Sequence, residues 1–399
     1  MLEEQVEVLE QDDPVKADGL VNYRFYLRQR PVMLGVFTVL AVVFFLVTSG
    51  LTRLYRAQRE ALGTRWFTRG VTELNAKKYD AAVSDFRAAL LYSRDNYTYQ
   101  LNLAEALLGL GRTGQAYAYL LNLWDREPED GLVNLELARI ASSRGQVQQA
   151  IRYYHDAIYA AWASDEEWKR RDARLELIQL LLATKEQQQA QAELIALAAN
   201  VGDDPEQQEQ IGSLFLRAQD YEHALNAFRI ALKSERRNPA ALAGAGQAAF
   251  ELGRYPLAQH YLQAAVAANP NDKQSLQLLM TAEMVLQMDP FRRQISTAAR
   301  NRIVVEAFDI AGQRLTNCAL PKSATPAPAS SQPILSLSDQ WASLKPRITE
   351  QNLERNPDLV ESAMDLVFQI ERQTSVVCGT PSGPDLALLL IAKLHEGNQ

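Results

Sequence analysis

The two residue types most often recruited for thiol and soft-metal chemistry are both sparse in this chain. Cysteine occurs twice, at Cys318 and Cys378, and histidine four times, at His155, His223, His260 and His395. No CxxC, CxxCH or Cys/His cluster sets them at metal-ligand spacing, which disfavours structural zinc, c-type haem and a dithiol redox centre. The scattered histidines read as surface or packing residues rather than as bases. One glycine-rich turn, CGTPSGPD at 378–385, lacks the lysine and spacing of a phosphate-binding loop. Neither Gly-x-Ser-x-Gly nor His-Glu-x-x-His occurs. The chain therefore reads as a non-enzyme, with no catalytic, cofactor-binding or metal site expected.

The chemistry that remains is a disulfide. Cys318 and Cys378 stand on either side of LPKSATPAPASSQP, a proline-rich stretch at 320–333 that reads as an extended linker. Pairing them would staple the tail across that linker and remove about 4 kcal/mol of loop entropy from the unfolded state. Two buried free thiols are the alternative. The even count, and the absence of cysteine from the long region before residue 318, favour pairing. Disulfides persist in oxidising compartments, so a bond here would put most of the chain outside the cytoplasm.

Stepping N-terminally, Val32 to Leu51 supplies twenty mostly apolar positions, and no ionisable residue lies between Arg30 and Arg53. A helix of that length spans about 30 Å, the thickness of a bilayer's hydrocarbon core. Residues 31–52 thus read as a transmembrane helix behind a short acidic segment, 1–30. That segment carries Glu3, Glu4, Glu7, Glu10, Asp12, Asp13 and Asp18 against Lys16, Arg24, Arg28 and Arg30. A cleaved signal peptide or a buried core helix would be the rivals. Arg53, Arg56, Arg59, Arg65 and Arg69 follow the span, so flanking charge favours neither orientation. With a formal net charge of −7 and only short basic groups, no nucleic-acid partner is expected.

From Trp66 onward an alanine followed four residues later by a bulky side chain recurs: Ala82 with Phe86, Ala116 with Leu120, Ala150 with Tyr154, Ala190 with Leu194, Ala224 with Phe228 and Ala258 with Leu262. The intervals between these alanines are 34, 34, 40, 34 and 34 residues. The stretch AALAGAGQAAFELGRYPLAQHYLQAAVAANP at 240–270 carries Gly246, Gly253, Tyr255, Ala258, Ala265 and Pro270. This resembles the tetratricopeptide repeat, with its W-x2-L-G-x2-Y, A-x3-F and P positions. The resemblance implies an all-α fold, a right-handed superhelical array of helix-turn-helix units, with about six repeats plus a partial one over 63–288. A capping helix over 289–317, starting at Asp289 and Pro290, a linker at 318–333 and a helical C-terminal region at 334–399 would follow. The longer interval leaves six extra residues near WASDEEWKRRD at 162–172, either a protrusion presenting Trp162 and Trp168 or a segment with both folded onto the array.

In the family this resembles, first-helix side chains line a concave groove for peptides or helices. Carried over repeat by repeat, that gives Phe67, Val71 and Asn75; Leu101 and Glu105; Leu135, Arg139 and Ser143; Leu175 and Gln179; Ser213 and Arg217; and Gln247 and Glu251. The set lacks a lysine and asparagine carboxylate clamp, and its first half is apolar, which suits an amphipathic or apolar segment; the chain's own tail is another occupant. The resemblance implies protein or peptide partners and no cofactor. A scaffold at the inner membrane of a bacterium, its array periplasmic, is one reading; it would serve envelope assembly, secretion or polysaccharide export. A cytoplasm-facing adaptor is another, resembling in layout a bacterial regulator of lipopolysaccharide synthesis whose paired CxxC motifs this chain lacks. A module recruiting substrates to a partner enzyme is a third.

Overall fold

A computed structural model describes residues 20–162, 165–319 and 332–396, with side chains from Met33 onward. Most of the expected linker and the first part of the acidic segment lie outside the described residues. All regular structure among the described residues is helical. The chain divides into two compact units, Met1–Ser164 and Asp165–Gln399, and the division falls within the six extra residues.

The first unit contains α1 (Leu20–Asn75), α2 (Tyr79–Tyr92), α3 (Tyr97–Gly109), α4 (Thr113–Arg126), α5 (Gly131–Ser143) and α6 (Val147–Tyr159). Successive helices are joined by short turns and pack on their neighbours. The apolar stretch and the first helix of the first repeat are one 56-residue helix. Gly63 is the first residue along α1 to be buried; a Cβ there would sit 3.4 Å from Tyr92.

The second unit contains three further pairs: α7 (Glu167–Ala183) with α8 (Gln187–Ala198), α9 (Pro205–Arg217) with α10 (Tyr221–Ser234), and α11 (Pro239–Glu251) with α12 (Tyr255–Ala268). There follow α13 (Lys273–Met288), α14 (Thr297–Ala319), α15 (Gln332–Leu344), α16 (Glu350–Arg355), α17 (Asp358–Cys378) and α18 (Pro384–Glu396).

Three devices recur at the repeat interval and explain why the pairs form. The six repeating alanines are all fully buried, where the absence of a longer side chain lets paired helices approach. The turn inside each pair is closed by one residue in the left-handed region: Lys77, Gly111, Gly145, Lys185, Gln219 and Gly253, with φ from 58° to 71°. The next amide donates back to the residue five positions earlier, as Arg112 does to Leu107 at 2.9 Å, the Schellman closure of a helix end. At the entry to first helices, Asn96, Asp130, Asn238 and Asp272 cap the N-terminus with their side chains. Buried amides then tie the preceding turn: Gln100 donates to the Arg94 carbonyl, Asn134 to Pro128 and Gln208 to Gly202, at 2.7 to 2.9 Å.

The capping helix begins later than expected. Asp289 accepts from the Phe291 amide at 2.9 Å and closes a turn instead of starting a helix, and α14 starts at Thr297 behind Ser296, whose hydroxyl accepts from the Ala299 amide at 3.2 Å. Phe291 is released from the helix and packs on His395, ring centres 4.5 Å apart. On α13, beside α12, packs α18, which also packs on α14 and α17. Val304, Phe308 and Ala311 of α14, Ile334 and Leu337 of α15, Met364, Val367 and Ile370 of α17, and Leu388 and Ile391 of α18 form one continuous core. Cys318 at the end of α14 is disulfide-bonded to Cys378 at the end of α17, with Cα atoms 5.8 Å apart.

Candidate functional site

The first-helix positions named from the repeat pattern fall into three groups. In the second unit, Leu175 and Gln179 of α7 and Ser213 of α9 line one cavity of about 530 Å³. Its α7 wall is Arg171, Leu175 and Gln179, each four residues from the next and so on one helical face. The facing wall comes from α9 through Glu206, Gln210 and Leu214, and the floor adds Leu197 and Val201. A second cavity of about 380 Å³ shares Arg171, Leu197, Val201 and Gln207 with the first and opens beside Trp168.

Charge in this groove is of both signs. Arg171, on the α7 side, stands across from Asp204 and Glu206 at the start of α9. Arg174 pairs with Glu193 at 3.1 Å and Arg170 with Glu167 at 2.8 Å, so the polar rim is held in place. Ser213 turns its hydroxyl to the Gln210 carbonyl at 2.7 Å. An apolar floor between opposed charges can hold an extended or helical peptide by burying side chains while satisfying its main-chain and charged groups.

The two tryptophans of the long interval part company. Trp162 folds inward: its indole N–H donates to the Ala157 carbonyl at 2.8 Å, and its ring lies over Gly131, where a Cβ would be 2.5 Å away. Trp168 opens α7 and remains 53% exposed. Sequence reasoning named Trp168 but left Arg171, Leu197 and Val201 out of the groove. The only signal for Arg171 was its place one turn before Leu175 on the same face.

In the first unit the apolar positions do something else. Phe67 stacks on Tyr99, ring centres 4.8 Å apart, and meets Phe86 at 5.8 Å, which makes it a spacer between repeats. Leu135 is 2% exposed and belongs to the core. Val71 and Leu101 are half-buried, whereas Asn75, Glu105, Arg139 and Ser143 are exposed. Arg139 pairs with Glu136 at 2.6 Å and Ser143 bonds the Ile140 carbonyl at 2.8 Å. The expectation of an apolar groove here is therefore corrected: the larger apolar side chains are spent on packing, and the exposed members of the set are polar.

At the other end of the second unit, Arg217 and Glu251 are exposed and Gln247 accepts from Gln274 at 3.4 Å. Burial, with the Glu251 charge adding to it, pushes the Tyr255 hydroxyl up to about 12. Here the tail covers first-helix residues. Phe250 and Met284 pack into one apolar cluster with Leu390 and Leu394 of α18, and a Cβ on Gly253 would lie 2.5 Å from Leu394. The histidines stay apart: His223 bonds Asp220 at 2.8 Å and stacks on Phe215, and His395 lies between Phe291 and Phe368.

Comparison with known proteins agrees with this geometry. Residues 73–140 and 210–273 match models of the tetratricopeptide repeat. No curated protein sequence matches the chain. Among solved structures it is similar to YrrB, described as a TPR protein with an unusual peptide-binding site, at 16% identity over 48% of this chain and 95% of that one, TM-score 0.39. It is also similar to PilF of Pseudomonas aeruginosa, at 13% identity over 55% and 97%, TM-score 0.39. A third likeness is to the C-terminal part of a repeat protein from Cytophaga hutchinsonii, at 14% identity over 58% and 92%, TM-score 0.44. With two segments matched by the repeat models, and helix pairs whose turns, caps and buried alanines keep the repeat interval, the chain carries an array of tetratricopeptide repeats.

Proposed function

We propose that this protein is a membrane-anchored scaffold whose repeats recruit protein partners into a cell-envelope complex for assembly, secretion or polysaccharide export. Tetratricopeptide repeats are protein-interaction modules, and the groove between α7 and α9 offers a site of peptide dimensions. The observation that carries the reading is α1. One helix is apolar and unburied where it is long enough to cross a bilayer, and it runs without a break into the first repeat. Anchor and first repeat thus share one helix, which suits a protein that holds partners at a membrane surface rather than one that carries them away.

The disulfide between Cys318 and Cys378 supports a periplasmic array, with residues 1–30 in the cytoplasm and residues 31–52 in the inner membrane. Paired C-terminal reporter fusions, one active only in the periplasm and one only in the cytoplasm, test this directly: activity of the first alone is expected, and activity of the second alone would leave a cytoplasm-facing adaptor. Recruitment is tested by crosslinking full-length protein in its native membrane, followed by identification of captured partners. Trp168→Ala with Arg171→Gln should reduce capture at least tenfold, as expected for an aromatic and arginine anchor, while leaving the melting temperature unchanged. Undiminished capture would exclude this groove.

A further inference from the structure

We infer that the first repeat docks onto the headgroup layer of an anionic bilayer through a collar of arginines around the base of α1 and the turn after α2. The inference rests on reading residues 31–52 as a membrane span, and it extends that reading from an anchor to a lipid-binding surface.

The geometry follows from the continuity of α1. Because α2 returns along α1, the end of α2 and the turn at 92–96 point back toward the span. Their height can be read from one bond: the Arg59 guanidinium donates to the Leu91 carbonyl at 3.1 Å. Arg59 lies seven residues beyond Thr52, about 10 Å along the helix axis, and the polar layer outside the hydrocarbon core is about 5–8 Å thick on each side. An arginine side chain on α1 leans toward the helix N-terminus, which lowers the turn further.

The chemistry of this level matches phospholipid headgroups. Arg53, Arg56 and Arg94 are exposed. Over residues 53–62 and 91–96 there are four arginines, Arg53, Arg56, Arg59 and Arg94, against Glu60 and Asp95, in a chain whose formal net charge is −7. Leu91 is 78% exposed, and Leu54 and Tyr55 are 67% and 61% exposed on the stem. Apolar and tyrosine side chains at the interface, surrounded by arginine, are what a membrane surface of negative charge retains.

The test uses full-length protein in nanodiscs of phosphatidylcholine alone or mixed with phosphatidylglycerol. Spin labels are placed singly at Leu91→Cys, Lys78→Cys and Val43→Cys, the native cysteines being paired. Depth is read from accessibility to oxygen and to a water-soluble nickel complex. The Val43 label is expected in the hydrocarbon, the Lys78 label in water, and the Leu91 label at headgroup depth in the anionic discs. Combining Arg53→Gln, Arg56→Gln and Arg94→Gln should return the Leu91 label to water, each arginine contributing about fivefold to the docked population. A Leu91 label as open to water as the Lys78 label in anionic discs overturns the inference and leaves the anchor intact. So does a headgroup depth indifferent to lipid charge and to the arginines. Protection from both reagents that persists in detergent would assign the surface to a protein contact instead. A Val43 label in water would remove the span and the inference together.

Discussion

Phe228 lies between two glycines on neighbouring first helices. A Cβ at Gly212 would approach its ring to 2.9 Å and one at Gly244 to 2.3 Å. Gly244→Ala should therefore lower stability by about 1–3 kcal/mol through overpacking, seen as a lower urea midpoint for the second unit. The left-handed turn position predicts the opposite sign. Lys185 and Gln219 hold φ values of 63° and 59° that glycine adopts at less cost. Lys185→Gly and Gln219→Gly should each stabilise by about 1 kcal/mol in the same measurement. A third residue couples stability to pH. Glu371 is fully buried, and neither carboxyl oxygen has a hydrogen-bond partner among the described residues. Burial, reinforced by Asp385 and opposed by Arg314, pushes its pKa from 4.5 up to about 8. The folded state thus keeps a proton that the unfolded chain releases above pH 4.5, so this stability is fully present below pH 4.5 and is lost as pH rises to about 8. Glu371→Gln should flatten the fall in melting temperature between pH 5 and 8, with a gain of about 5 °C at the alkaline end and little change at the acid end.

At the scale of elements, the tail is held by contacts far apart in sequence. The disulfide closes a loop of 60 residues between α14 and α17. Beside it, Arg314 donates to the Gly379 carbonyl at 2.7 Å. Cys318→Ser with Cys378→Ser should lower the stability of the C-terminal core by about 4 kcal/mol. Limited proteolysis would then cut first within the tail helices while the pairs α7 to α12 persist, because those pairs have a core of their own. The pairs themselves were legible in the sequence, since Ala82, Ala116, Ala150, Ala190, Ala224 and Ala258 keep the interval that packing imposes. The turn at Lys185 was not, because a lysine replaces the glycine that would have announced it. The start of α14 was misplaced for a related reason: Asp289 and Pro290 open a turn as readily as a helix, and only the docking of Phe291 on His395 decides between them.

For the whole molecule, the joint between anchor and array is the part most open to experiment. Residues 53–62 of α1 are exposed, so beyond the Arg59 bond to the Leu91 carbonyl and the headgroup contact inferred above, orientation passes from the span to Gly63 through the helix itself. Ala61→Pro should break that helix at a local cost of about 3 kcal/mol. The fold of the repeats should be untouched by circular dichroism, while distances from spin labels at Val43→Cys to Lys78→Cys should broaden. The sequence alone determined the helix pairs, their number and the apolar stretch, because each rests on local periodicity and on residue sizes that every repeat must satisfy. Which first-helix side chains are free to meet a partner was decided by the tertiary structure. Phe67 and Leu135 occupy the same repeat positions as groove residues, yet they are consumed by neighbouring rings and helices. Leu175 and Gln179 stay open beside Arg171, and α18 covers Phe250. Exposure depends on what packs from elsewhere in the chain, and a repeat motif specifies only what packs within and next to its own unit.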